Sequence, residues 1–239
     1  MIIYPAIDLK AGKVVRFQQG RADAETVYSN DPAAVACRWE TEGAHYLHVV
    51  DLDGAFEGKP CNWDSVRAIL KAVRIPIQLG GGLRTRKQIE DALSMGVTRV
   101  VLGTKACDSP GFVSALVDDL EARIVVGIDA RDGFVAVKGW TEKTEISAVD
   151  FAQQVNRLGV MNIIFTDVST DGMLTGPNYF AISAVCGAVN CSVIASGGVS
   201  SLSDVRRLQR VAETHPNLVC VIIGKALYDG RIDLKQLEM

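Results

Sequence analysis

Two aspartates carry the first chemical signal. Asp8 ends the apolar run Ile2-Ile3-Tyr4-Pro5-Ala6-Ile7, and Asp129 ends Ile124-Val125-Val126-Gly127-Ile128. Both runs are short and continuous, as strands buried on two faces are. Each carboxylate is followed by a turn-rich segment, Leu9-Lys10-Ala11-Gly12 or Ala130-Arg131-Asp132-Gly133. The two aspartates lie 121 residues apart, about half the chain of 239. Two carboxylates facing one ligand suit acid–base chemistry, one kept protonated by its surroundings and the other ionised. The expected roles are Asp8 as base and Asp129 as acid, across a shared cleft.

Glycine-rich turns give the second signal. Gly80-Gly81-Gly82 follows Leu79, and Ser196-Gly197-Gly198 follows Ala195. Gly103-Thr104 and Gly224-Lys225 close two further apolar runs, again 121 residues apart. Glycine lets backbone N–H groups approach a ligand, and each turn feeds a helix N-terminus. Such a turn holds an anion without net positive charge. Because the pattern occurs twice at matched spacing, the expected ligand is a small molecule with a phosphate at each end.

These residues need elements to position them. Asp31-Pro32 opens a helix, with Asp as N-cap and Pro in the first turn, and Gly43 ends it. Asn62 can cap a helix over 63–73, and Thr85 one over 86–95. Ser147, three residues before Asp150, resembles a capping box. Strand-like runs end at Asp8, Asp51, Leu79, Leu102, Asp129, Asp167, Ala195 and Ile223, and helical stretches separate them. Residues 9–30 and 130–146 read as long loops, and a short helix is expected over 233–238. Eight strand–helix units predict a closed (β/α)8 TIM barrel in one domain, with half-barrel repeats of about 1–121 and 122–239. A doubly wound open sheet is the alternative. In such a barrel the reactive groups lie at the C-terminal strand ends. The long first and fifth loops, together with the second and sixth, then form a lid over rigid glycine anchors.

Metal binding is the rival of the acid–base reading. Asp8, Asp51, Asp129 and Asp167 could form an oxygen-rich ring for Mg²⁺ or Mn²⁺. Two phosphate cradles lessen the need for a cation, so no metal and no cofactor are expected. His45 and His48, three apart on a strand, point to opposite faces and read as structural, with His215 at a helix end. The net charge of −3 argues against nucleic-acid and anionic-membrane partners. No apolar run approaches the ~18 residues of a membrane span. Six cysteines without a Cys-x-x-Cys pair read as free thiols of a reduced compartment. A cytoplasmic monomer is expected.

Five segments together resemble one family: Pro5-Ala6-Ile7-Asp8-Leu9, His48 to Ala55, Gly80-Gly81-Gly82-Leu83-Arg84, Thr166-Asp167 through Asp171-Gly172, and Ala195 to Val199. It is the phosphoribosylformimino-aminoimidazole carboxamide ribotide isomerases of histidine biosynthesis. The resemblance covers essentially the whole chain. It implies an Amadori rearrangement of a bisphosphorylated aminoaldose to an aminoketose, without a cofactor. It casts Asp129 as the acid that opens the furanose ring and Asp8 as the base that takes the C2′ proton. Thr166 and Asp171 would position substrate, Trp140 would stack on the imidazole carboxamide, and Arg16 and Arg84 would hold the ligand. The related cyclase has a cysteine in its first strand, which this chain lacks. Relatives that also accept phosphoribosylanthranilate have an arginine where this chain has Lys138. That dual activity, a metal-dependent aldolase or epimerase, and a non-catalytic phosphosugar-binding barrel are the alternatives.

Overall fold

An apolar strand that buries both faces needs helices against one of them and other strands' side chains against the other. The computed structural model, which describes residues 1–18 and 21–237, meets that need with a closed barrel. The first half runs β1 (Ile2–Lys10), β2 (Lys13–Gln18), β3 (Arg21–Ser29), α1 (Pro32–Thr41), β4 (Leu47–Asp51), a short α2 (Leu52–Glu57), α3 (Trp63–Ala72), β5 (Ile77–Gly80), α4 (Arg86–Ser94), β6 (Arg99–Leu102), a short α5 (Thr104–Asp108) and α6 (Pro110–Leu120). The second half runs β7 (Ile124–Arg131), β8 (Phe134–Val137), β9 (Glu142–Ser147), α7 (Ala148–Arg157), β10 (Asn162–Asp167), α8 (Tyr179–Ala188), β11 (Ser192–Ser196), α9 (Leu202–Thr214), β12 (Leu218–Ile223) and α10 (Lys225–Tyr228).

Eight parallel strands pair in the order β1, β4, β5, β6, β7, β10, β11, β12, and β12 returns to β1. The open-sheet alternative is therefore excluded. Strand alternation divides the core in two. Tyr4, Ala6, Val125, Ile164, Ile194, Cys220 and Ile222 pack together inside the barrel. Their neighbours Ile7, Val126, Ile163, Val193 and Val221 face outward, packing with helix residues such as Trp39, Ile69 and Phe151.

The two expected long loops are hairpins instead. β2 and β3 follow β1, and β8 and β9 follow β7. Ala11-Gly12 and Asp132-Gly133 are their first turns, with φ of +47°, +76°, +54° and +82°. Two successive left-handed residues make the type I′ turn that suits strand twist. Gln19 and Gly20 of the first connection lie outside the described residues, as does Glu238 of the expected last helix, where Leu234–Gln236 forms one 3₁₀ turn.

Asp51 and Asp167 share the outward parity and build loops. Asp51 accepts from the backbone N–H of Gly54 (2.9 Å), Cys61 (2.6 Å) and Asn62 (2.9 Å), and from Asn62 Nδ2 (2.7 Å). Asp167 accepts from Ser169 N (2.9 Å), Ser169 Oγ (2.5 Å) and Asn178 Nδ2 (2.6 Å). Asn62 thus does not cap α3 through its side chain. Its amide ties Asp51 to Asp53 (2.8 Å), and its oxygen accepts from Gly12 N (2.9 Å). Ser147 does accept from Asp150 N, the expected cap of α7. Replacing Asp51 by Ala strands four donors in a buried loop, and the expected cost is about 3–5 kcal/mol in urea unfolding. A loss below about 1 kcal/mol would mean that water satisfies those donors instead.

Candidate active site

Tyr4, Ala6 and Asp8 alternate along the inward face of β1, and Val125, Gly127 and Asp129 do so along β7. Each aspartate therefore stands above the barrel core, at the C-terminal end of its strand. Counted either way round the ring, β1 and β7 are four strands apart. Asp8 and Asp129 oppose each other across a cavity of about 260 Å³ that both line.

Every other residue singled out for substrate lines the same cavity. Gly81, Gly82 and Arg84 follow β5, and Gly103 and Thr104 follow β6. Ser196 ends β11, with Gly197 and Gly198 beyond it, and Gly224 and Lys225 follow β12. Arg16, Trp140, Thr166 and Asp171 complete the set. On the ring, the β5/β6 glycines lie opposite the β11/β12 glycines. A line between them passes between β1 and β7.

The glycine turns are built closely. Gly81 has φ +100°, and a Cβ there would stand 2.1 Å from the Asp51 carbonyl oxygen. Gly197 has φ +89°, and its Cβ would meet the Asp167 carbonyl oxygen at 2.9 Å. Both turns thus rest on the strand-end aspartate of the preceding unit. A Cβ at Gly224 would lie 1.5 Å from Arg16 Nη2, so the Arg16 guanidinium covers that turn. Arg84 lies against Gly58, with Nη2 3.3 Å from the Ala55 carbonyl oxygen. Lys225 contributes position rather than a free ammonium, since its Nζ bonds Asp229 (2.9 Å) and Tyr28 (3.2 Å).

Arg16 Nη1 meets Asp8 Oδ2 at 2.5 Å, with about one-seventh of either side chain exposed. Burial works against the guanidinium charge, but Asp8, Tyr228 and Asp171 together raise its pKa above the ordinary value. Burial also pushes Asp129 above the usual carboxylate range, against hydrogen bonds from Trp140 and Thr166 that pull it down. Asp171 is pushed up to about 6 by burial; Arg16 opposes that shift, while Asp8 and Asp129 add to it. Asp8 and Asp171 thus share one guanidinium, and Asp129 adds its charge beside Asp171.

Both hairpins deliver side chains inward. Arg16 comes from β2, and Trp140 from the β8–β9 turn. Lys138, Gly139 and Trp140 have φ of +54°, +63° and +71°, three left-handed residues in a row. Two of them are not glycine, a backbone cost typical of functional turns. Thr104 Oγ1 accepts from Lys138 N (2.9 Å) and anchors that turn to the β6 end.

Sequence reasoning set His48 aside as structural, yet it lines the cavity. The signal was available: His48 and Val50 share the inward parity of β4, as Leu47, Val49 and Asp51 share the outward one. Phe56 of the short α2, its ring centroid 6.4 Å from that of Phe17, is a second lining residue that the sequence reading did not single out. The four-aspartate metal ring is not assembled. Asp51 and Asp167 point outward and spend their oxygens on loop donors, and among the described residues no group of three or more His, Cys, Asp or Glu is placed to hold a metal ion.

A family described as "Histidine biosynthesis protein" matches residues 2–233. A protein from Opitutus terrae is 53% identical over 99% of this chain and 97% of its own length. One from Thermodesulfovibrio yellowstonii is 52% identical, over 99% and 95%. One from Xanthobacter autotrophicus is 51% identical, over 99% and 96%. Each of these relatives is named 1-(5-phosphoribosyl)-5-((5-phosphoribosylamino)methylideneamino)imidazole-4-carboxamide isomerase.

The crowded carboxyl groups have a consequence for stability. A carboxyl whose pKa rises on folding binds its proton more tightly in the native state. Its stabilising contribution is present below the ordinary value of 3.8 and is lost as pH rises through about 6. Asp171→Asn removes that penalty. The expected gain is roughly 3–6 °C in melting temperature near pH 7.5, shrinking towards pH 5, measured by thermal melts at both. An equal gain at both pH values would place the cause elsewhere than ionisation.

Proposed function

The chain belongs to the histidine biosynthesis protein family, and from that premise we propose that it rearranges a bisphosphorylated aminoaldose to the aminoketose, a reading that its relatives' isomerase names support. The observation that carries the reading is the crossing of two axes at one cavity. One joins Asp8 and Asp129; the other joins the glycine turns after β5/β6 and β11/β12. A ligand with a phosphate in each turn would lie with its middle between the two carboxyl groups.

Asp129, kept high in pKa by burial, suits proton donation to the furanose ring oxygen. The C1′–oxygen bond then breaks and leaves a cationic imine at C1′. Asp8 takes the C2′ proton, and the electron pair of that bond neutralises the imine as an enolamine. Protonation at C1′, with loss of the proton from the C2′ hydroxyl, gives the C2′ carbonyl of the aminoketose. No metal or cofactor enters this scheme. Thr166 and Trp140 orient Asp129 through their hydrogen bonds. Arg16 links Asp8 to the β12 turn, and Asp171 and Arg84 hold the ligand from the loops. Phosphate binding falls to backbone N–H groups of the four turns, which suits a chain of net charge −3.

The reading includes a cytoplasmic monomer built from two half-barrel repeats. Among the described residues, no helix is long and apolar enough to cross a membrane. The dual-substrate alternative gains no support at Lys138, whose Nζ bonds Glu142 (2.9 Å).

Asp8→Asn and Asp129→Asn are each expected to lower turnover of the aminoaldose by about 10²-fold to 10⁴-fold or more, with binding retained. Steady-state kinetics beside ligand titration checks this. Near-normal rates in both variants would remove the acid–base pair, and binding without turnover in the unmodified chain would favour the phosphosugar-binding barrel.

A further inference from the structure

Three neighbouring strands carry a polar chain below the cavity. Arg99 on β6, Gln78 on β5 and His48 on β4 all face inward, and the register sets Gln78 beside both of the others. Arg99 Nη2 donates to Gln78 Oε1 (3.1 Å) and to Tyr4 OH (3.0 Å), and Nη1 donates to Asn162 Oδ1 (3.2 Å). The guanidinium also lies over the Tyr46 ring, 4.7 Å from its centroid. Gln78 is fully buried, and its Nε2 lies 2.9 Å from His48 Nδ1.

The order of donors is forced. A guanidinium only donates, so the carbonyl end of Gln78 must face Arg99. The amide –NH₂ then faces His48, and Nδ1 must accept. A neutral imidazole carries one proton, which is left on Nε2. We propose that Arg99 and Gln78 hold His48 as the neutral Nε2–H tautomer, so that the cavity contains a fixed imidazole N–H donor for a ligand oxygen.

The surroundings agree. Burial, with Arg16 and Arg99 nearby, pushes the imidazolium pKa down to about 3. A neutral imidazole held in this way suits holding and orienting a ligand rather than proton transfer. Gln78 and Arg99 are positioning residues acting from the foot of the barrel. The tautomer stands independently of the isomerase reading, whereas the claim that the N–H meets a sugar or phosphate oxygen rests on it.

The test is the imidazole ¹⁵N spectrum of the labelled, unliganded protein, with His48→Gln identifying the resonances. An unprotonated Nδ1 and a protonated Nε2, unchanged from about pH 5.5 to 8, are expected. A protonated Nδ1 in that range overturns the proposal. Gln78→Glu offers His48 only acceptors, so Nδ1 must gain a proton; an unmoved spectrum would also overturn it. Should that variant not fold, Arg99→Met frees the amide, and a mixture of tautomers is expected. In a variant whose tautomer has moved, KM for the aminoaldose should rise about tenfold with kcat changed less. An unchanged KM would remove the donor role. Failure of the Asp8 and Asp129 variants to lose activity would instead remove the isomerase reading and leave the tautomer intact.

Discussion

A residue on a closed parallel barrel has two directions open to it, and one step in sequence exchanges them. That parity sorts four similar aspartates into two kinds. Asp8 and Asp129 fall in phase with Tyr4, Ala6, Val125 and Gly127 and stand over the barrel interior. Asp51 and Asp167 fall in phase with Leu47, Val49, Ile163 and Phe165 and stand under the loops. A one-residue slip in β1 or β7 would move a reactive carboxyl into the apolar layer beneath the helices. The outer core of Ile7, Leu9, Val126 and Ile128 is therefore also what aims the site.

The outward aspartates make the rest of the mouth rigid. Asp51 and Asn62 close one loop, and Asp167 and Asn178 close its counterpart, with the same eleven-residue spacing. Gly81 and Gly197 then seat against the backbone of those aspartates, where no side chain fits. The loops also brace one another: Ala11 N donates to Asp53 (2.6 Å), and Gly176 N donates to the Gly198 carbonyl (3.0 Å). A glycine turn becomes an anion cradle only when its N–H groups are held in place, and these contacts hold it.

The eight units were legible because their signals are local: apolar runs, capping residues and glycine stops. The strand-end aspartates were legible for the same reason. The β2–β3 and β8–β9 hairpins were not. Glu142 to Ser147 carries no buried residue, so no apolar period marks it as a strand. Its pairing with β8 across the mouth is a tertiary fact. Asn62 looked like a cap because Asn before a helix usually is one, but a buried carboxylate at Asp51 competes for the same amide. The inward side of His48 was legible in the parity of β4, but its partners Gln78 and Arg99, 30 and 51 positions away, were not.

The electrostatics of the cavity run against stability. Burial raises Asp129 and Asp171, and Arg16 is the cation that Asp8 and Asp171 share. Folding tolerates this because the outer core is extensive, and a barrel mouth admits water that a sealed core would not. The same crowding would be prohibitive beside two phosphates if all the charge lay together. The ring separates them: carboxyl groups on β1 and β7, glycine turns after β5/β6 and β11/β12. Arg16 joins the two sets, paired with Asp8 while lying over Gly224. On the proposed reading, a phosphate entering that turn competes with Asp8 for the guanidinium. Ligand binding would then loosen the ion pair and free the base at the moment its substrate arrives.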